Sequence, residues 1–338
     1  MQGKLKPSSR QVIVITGATS GIGLVTAREA ARRGASLVLA ARNEAALIEL
    51  VEELAMQGCQ AIHVIADVGL EADIDRVVSA AVGRFGGFDT WVNNAGVSIY
   101  GPLEAASTVE YRRLFDTNFW GVVFGSLAAR KLLRQRGGAI ITVGSAASEF
   151  ALPVQGMYSP SKHAIKGFID AFRLETEQER LSIAVTLIKP ASINTRLPDH
   201  AVNHTSRWPR LPPPIYAPET VARAILYAAE HPTRELFVGA SGRLVAAGRQ
   251  LLPHLIDKFL NTFARSTQAK GHPDRRTDSG ILFHPGEGLH ERHADKGMTL
   301  EFSPYTRAMT HGRWYTLSLL AAVTTYGLLR YRRHAKRH

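Results

Sequence analysis

The chain has 338 residues, 45 % of them hydrophobic, and a formal net charge of +12. That length accommodates one large α/β domain plus an extension, and the apolar share is normal for a folded globular core. Cys59 is the sole cysteine, which excludes an intramolecular disulfide and suits a reducing compartment; the N-terminus has basic residues with no apolar run behind them, so no secretory signal is expected.

Val12-Ile13-Val14-Ile15 opens the first expected strand (12–16), a β-branched apolar run of the kind a buried parallel sheet requires. It leads into Thr16-Gly17-Ala18-Thr19-Ser20-Gly21-Ile22-Gly23 and a helix over 22–33. Strand, glycine turn and helix together point backbone N–H groups at a phosphate, with glycine where the chain turns tightly or approaches the anion. The spacing is Gly-x-x-x-Gly-x-Gly, and no Gly-Lys-Ser/Thr follows, which disfavours a nucleoside-triphosphate P-loop. Further strands over 36–41, 61–66, 89–93, 138–143, 182–188 and 235–239 alternate with helices over 43–57, 71–86, 108–136, 156–180 and 218–231. This alternation predicts an α/β fold, a doubly wound parallel sheet of about seven strands with right-handed crossovers. Ser107 and Glu110 form a capping box for the helix that starts at 108, and Gly137-Gly138 ends it.

Tyr158 and Lys162 stand one turn apart on a helix and share a face. A phenol with a pKa of about 10 is a poor base near neutrality, but an adjacent ammonium favours the phenolate. Ser145, thirteen residues upstream of the tyrosine, can hydrogen-bond a substrate oxygen and hold it there.

In order and spacing these motifs resemble those of the short-chain dehydrogenases/reductases over roughly residues 10–240. The resemblance implies a Rossmann-type fold and reversible hydride transfer between a nicotinamide and an alcohol or ketone. Gly17, Thr19, Ser20, Gly21, Ile22 and Gly23 fall in the family's cofactor turn. Asp67-Val68 matches the pair that contacts the adenine. Asn93-Asn94-Ala95-Gly96 matches the Asn-Asn-Ala-Gly that supports the sheet, with Asn94, Ala95 and Gly96 beside the cofactor. Asn118 matches the helix asparagine that holds a proton-relay water. The same resemblance makes Tyr158 the acid/base, Lys162 its tuning cation and ribose ligand, and Ser145 the group that orients the substrate oxygen. Pro190, Ile193 and Thr195 belong to the loop that grips the nicotinamide end, where Ala191 replaces the family's usual glycine. Family likeness also implies homodimers or homotetramers. A related epimerase or dehydratase without net redox is one alternative, and a non-catalytic nucleotide-binding membrane scaffold is another.

Cofactor choice is read from charge. The second strand ends in Ala40-Ala41-Arg42 without the carboxylate that would bond a ribose 2′-OH. Arg42 offers a donor fork suited to a 2′-phosphate, so NADP(H) is expected over NAD(H).

The remaining segments carry less chemistry. The loop 191–217 holds Pro198, Pro209, Pro212, Pro213 and Pro214, with Trp208 and Tyr216 as candidates to line an apolar pocket. The domain is expected to span 11–243 after a short tail (1–10). An amphipathic helical segment (244–264), interrupted at Pro253, a polar linker (265–313) and an apolar helix with a basic end (314–338) then follow. His284, His290 and His293 lack metal-ligand spacing, so no metal is expected. Trp314–Leu329 is sixteen uncharged residues. As a helix it reaches about 24 Å, short of a hydrocarbon core of about 30 Å. Residues 265–338 carry thirteen Lys/Arg against six Asp/Glu, a net +7. Such a tail predicts contact with an anionic membrane surface from the cytoplasmic side, and no motif supports nucleic acid.

Overall fold

The computed structural model describes residues 5–269, 281–293 and 298–310, with side chains to 262 in the first span. Seven strands form the main sheet: β1 Val12–Thr16, β2 Ser36–Ala41, β3 Ala61–Ile65, β4 Thr90–Asn93, β5 Gly138–Val143, β6 Ile183–Pro190 and β7 Glu235–Val238. They pair in the order β3-β2-β1-β4-β5-β6-β7, every pair parallel. The order reverses between β1 and β4, and a crevice opens there at the carboxyl ends of the strands.

The period-2 alternation of β1 explains why both faces are covered. Ile13 and Ile15 pack with Leu37 and Leu39 against Leu24, Leu47, Val221 and Ile225. Val14 and Val38 point to the other face, onto Val77, Ala129, Ile165 and Phe172. The helices begin with α1 Gly21–Arg32, α2 Glu44–Met56, α3 Glu71–Phe85, α4 Thr108–Phe115, α5 Gly121–Arg136 and α6 Tyr158–Gln178. They continue through α7 Leu197–His200, α8 Pro218–Glu230, α9 Ala240–Leu251, α10 Pro253–Ala269 and α11 Pro304–Thr310. At the expected capping box, Ser107 N–H donates to Glu110 at 2.6 Å and Glu110 N–H to Ser107 Oγ at 3.2 Å.

Two features depart from the sequence reading. The helix expected over 108–136 is interrupted by a π turn, Asp116–Trp120. Tertiary contacts hold it open: a Cβ on Gly121 would lie 2.7 Å from Val68 Cγ2, and the Phe119 ring meets Phe168 edge-on at 6.2 Å. The second is the stretch 265–313, expected to be a linker. Of its described parts, 265–269 continues a helix that starts at Pro253, while 281–293 and 298–310 pack on the domain. Leu282 is buried with Val97, Ile99, Leu114 and Val202. Thr299–Leu300 pairs with Ile215–Tyr216, which pairs in turn with Ser192–Ile193, and α11 lies on α8 and β7. Among the described residues no helix is long and apolar enough to cross a membrane. The apolar segment 314–338 lies outside them.

Candidate active site

The glycine turn is braced from the neighbouring strand. Asn94 Nδ2 donates to the Thr16 carbonyl at 2.9 Å and the Gly17 carbonyl at 3.2 Å, while Asn94 N–H donates to Thr16 Oγ1 at 3.0 Å. Gly17 has φ +66, and a Cβ there would lie 2.8 Å from Ala95 Cα. Gly23 is tighter still, because its Cβ would come 2.1 Å from the Gly17 carbonyl oxygen. Ser20 makes no side-chain cap on α1, so the N–H groups of its first turn head the cavity. Gly21 N–H, however, donates to the carbonyl of His290 at 2.9 Å. Behind the turn, buried Asn93 accepts from Trp91 Nε1 at 2.7 Å and donates to Ser126 and Thr142, which ties β4 to its neighbours.

Tyr158 opens α6 and Lys162 follows one turn later, its ammonium 5.6 Å from the tyrosine ring centre. Lys162 Nζ donates to the Val143 carbonyl at 3.3 Å. Ser145, just past β5, accepts from Ala147 N–H at 3.1 Å and is hydrogen-bonded to the Tyr158 hydroxyl. Burial pushes the Tyr158 phenol up to about 12, the Ser145 bond opposing it. Burial likewise pulls the Lys162 ammonium down to about 8. Spacing alone predicts that the ammonium favours the phenolate; in the cleft, desolvation of both charged forms outweighs that attraction. A phenol held at that value is a proton donor near neutrality.

Asn118 is fully buried in the π turn, and its side chain is committed. Oδ1 accepts from Val97 N–H at 2.8 Å, while Nδ2 donates to the Val97 carbonyl at 3.0 Å and Ser161 Oγ at 3.1 Å. It pins the turn to the Val97 segment and does not itself face the cavity.

These groups converge on one cavity of about 630 Å³. Gly17, Thr19, Ser20, Gly21, Ile22, Arg42, Asp67, Val68, Asn94, Ala95, Gly96, Ser145, Tyr158, Lys162, Pro190, Ile193 and Thr195 all line it; Gly23 and Asn118 stand one layer behind. Tyr216, a pocket candidate, is buried in the core that faces α8, and Trp208 stacks on His293. Ala191 fits because glycines face it: a Cβ on Gly239 would lie 3.0 Å from its methyl, and one on Gly242 3.4 Å.

Two lining residues, and an arginine behind the lining, escaped the sequence reading. Thr117 Oγ1 is buried and without a hydrogen-bond partner among the described residues. Tyr100 lines the cavity with a phenol that burial and Tyr158 push up. Arg113 clamps the Asp67 carboxylate and, through Nε, the Leu282 carbonyl at 3.0 Å. None of the three positions carries a spacing signal, because the surroundings of each are supplied by residues far apart in the chain. The glycine cradle that a Cβ would fill and the orphaned Thr117 hydroxyl both fit a polar, phosphate-bearing ligand such as a dinucleotide.

Comparison with known proteins agrees with this geometry. The family model of short chain dehydrogenases matches residues 11–205. The chain is 44 % identical over 308 residues to an uncharacterized oxidoreductase of Bacillus subtilis, YxnA, covering 90 % of this chain and 86 % of that protein. It is 40 % identical over 189 residues to 11-beta-hydroxysteroid dehydrogenase A of Sesamum indicum, covering 55 % of this chain and 53 % of the other. Among solved structures, an alcohol dehydrogenase of Thermococcus sibiricus in complex with 5-hydroxy-NADP superposes with TM-score 0.60 at 26 % identity, over 68 % of this chain and 95 % of that one. L-sorbose reductase of Gluconobacter frateurii, in complex with NADPH and L-sorbose, superposes with TM-score 0.59 at 25 % identity, over 70 % and 97 %. The chain belongs to the short-chain dehydrogenase/reductase family and is an oxidoreductase of the CH–OH/C=O class.

Proposed function

We propose that the protein is an NADP(H)-dependent reductase of lipophilic ketones, able to run in reverse on the alcohols. The observation that carries this reading is the convergence of Ser145, Tyr158 and Lys162 on the cavity that the glycine turn heads. The dinucleotide would be held by the glycine turn, Arg42, Asp67–Val68, Asn94–Gly96 and the Pro190–Thr195 loop, and when bound supplies the hydride. Ser145 holds the carbonyl oxygen. The Tyr158 hydroxyl gives its proton to that oxygen as it gains charge, and the Lys162 ammonium stabilises the phenolate left behind. Val143 fixes the lysine, and Asn118 serves the proton relay through its main chain because its side chain is engaged.

The preference for NADPH rests on Arg42 at the end of β2, where no carboxylate stands. The inference of a lipophilic substrate rests on Phe150, Leu152, Val154, Leu211 and Val245, which line the same cavity. Exposed Leu251 and Leu255, on α9 and α10 beside it, together with the basic segment 314–338, support attachment to the cytoplasmic face of a membrane. Exposed Trp120, Leu127 and Leu174, around α5 and α6, support a homodimer or homotetramer.

A panel of sterol, retinoid and fatty-acyl ketones with NADPH and NADH side by side tests the activity. Turnover faster with NADPH supports the reading; substrate conversion without net cofactor oxidation refutes it. Deleting 314–338 is expected to release the protein from a membrane fraction with catalysis intact, and unchanged fractionation refutes the anchor.

A further inference from the structure

Residues 281–293 touch the glycine turn, the end of β2 and the loop after β6, three of the elements expected to hold the dinucleotide. At the glycine turn, the His290 carbonyl takes the Gly21 N–H at 2.9 Å, and Glu291 pairs with Arg28 of α1 at 2.6 Å. After β2, Arg42 donates to the carbonyls of Ile281 and Leu282, and Asn43 Nδ2 to the Gly286 carbonyl at 2.6 Å. On the far side, Ile281 N–H donates to the His200 carbonyl at 2.9 Å, and His293 N–H to Asn194 Oδ1 at 3.1 Å, beyond the Pro190–Thr195 loop's start. Between these fastenings Pro285, Gly286, Glu287 and Gly288 line the cavity.

We propose that residues 281–293 are a further cofactor-binding element, a strap that closes the cleft over the dinucleotide and aims Arg42, so that cofactor leaves only when the strap lifts. The claim rests on the dinucleotide-binding reading above. Two N–H groups of Arg42 are spent on strap carbonyls, which fixes the guanidinium plane before any phosphate arrives; a fork held in advance loses less freedom on binding. The fastenings are hydrogen bonds and solvent-accessible ion pairs of Glu291 with Arg28 and of Arg292 with Glu219 and Glu301. Leu282 is the strap's only buried large apolar side chain, with Ile281 and Leu289 half-buried. An element held by few apolar contacts opens locally at far lower cost than the domain unfolds. The strap therefore suits repeated lifting during turnover.

The experiment follows release of NADPH by stopped-flow fluorescence after a chase with excess NADP+, with NADH as a second ligand. Glu291 lies outside the cavity lining, so its exchange loosens the strap without removing a cavity group. Glu291→Lys, which places like charge against Arg28, is expected to speed release about fivefold, and Glu291→Asp to stay near the native rate. A second protein carries Arg28→Cys and Glu291→Cys with Cys59→Ser. Joining the new cysteines with a short bis-maleimide is expected to slow release about tenfold or more against the same protein before joining. Equal release rates in the native, Glu291→Lys and joined proteins overturn the strap. Failure of the native protein to bind either dinucleotide instead overturns the cofactor reading beneath it.

Discussion

Gly23→Ala puts one methyl against the most crowded point of the cofactor turn. Its Cβ would lie 2.1 Å from the Gly17 carbonyl oxygen, 2.6 Å from Asn94 Nδ2 and 2.9 Å from the Gly17 carbonyl carbon. Ordinary contact begins at about 3.4 Å, so the carbonyl must retreat by roughly 1 Å, away from the amide that donates to it. Overpacking of this kind costs about 1–3 kcal/mol, and the loosened Asn94 bond about 1 kcal/mol more; better helix propensity returns less than about 1 kcal/mol. The net cost of about 1–3 kcal/mol corresponds to a melting temperature lower by about 2–10 °C. Because the displaced atoms belong to the turn proposed to cradle the phosphates, NADPH affinity is expected to fall about tenfold or more, read by fluorescence titration. Gly83→Ala is the control. Gly83 is an exposed residue of α3 with nothing within 4 Å of the added Cβ, so this change is expected to raise the melting temperature by about 2–4 °C. A Gly23→Ala protein with native melting temperature and native NADPH affinity would refute the reasoning.

Three further outcomes are expected. Tyr158→Phe removes the proposed proton donor and keeps the ring, so turnover should drop about 100-fold or more while NADPH still binds by titration. Lys162 is drawn down to about 8 by burial, so its cation is present below that pH and lost above it. The value of kcat/KM for reduction should therefore fall as pH rises through about 8, and a flat profile from pH about 7 to 10 would exclude the role given to Lys162. Arg42→Ala should weaken NADPH by about 10–100-fold and NADH far less, measured by parallel titration; equal losses would move the 2′-phosphate contact elsewhere.

Much of the fold was legible because its signals are local. The Val12–Ile15 run, the glycine turn and the alternation of strands with helices depend on side-chain period and backbone freedom, which sequence displays directly. The Tyr158–Lys162 pair was legible for the same reason, since four residues on a helix fix a shared face. What stayed hidden depends on distant partners. The π turn at 116–120 is held by Val97, Val68 and Phe168, none adjacent to it in sequence. The packing of 281–293 was hidden more deeply. Its fastenings use the carbonyls of Ile281, Leu282, Gly286 and His290, which every residue possesses, so composition marked it only as polar. The pKa balance at Tyr158 and Lys162 was missed because burial of both groups is a property of the cavity, not of their spacing.

The most direct test of the central claim follows deuterium from the cofactor. NADPH carrying deuterium at nicotinamide C4, on each face in turn, is incubated with a reducible ketone from the panel, and the alcohol is analysed by mass spectrometry. One deuterium on the carbinol carbon from one face only, with labelling at least about 100-fold slower by Tyr158→Phe under the same conditions, is the predicted result. Alcohol formed without deuterium from either face, or equally fast labelling by Tyr158→Phe, would contradict the account.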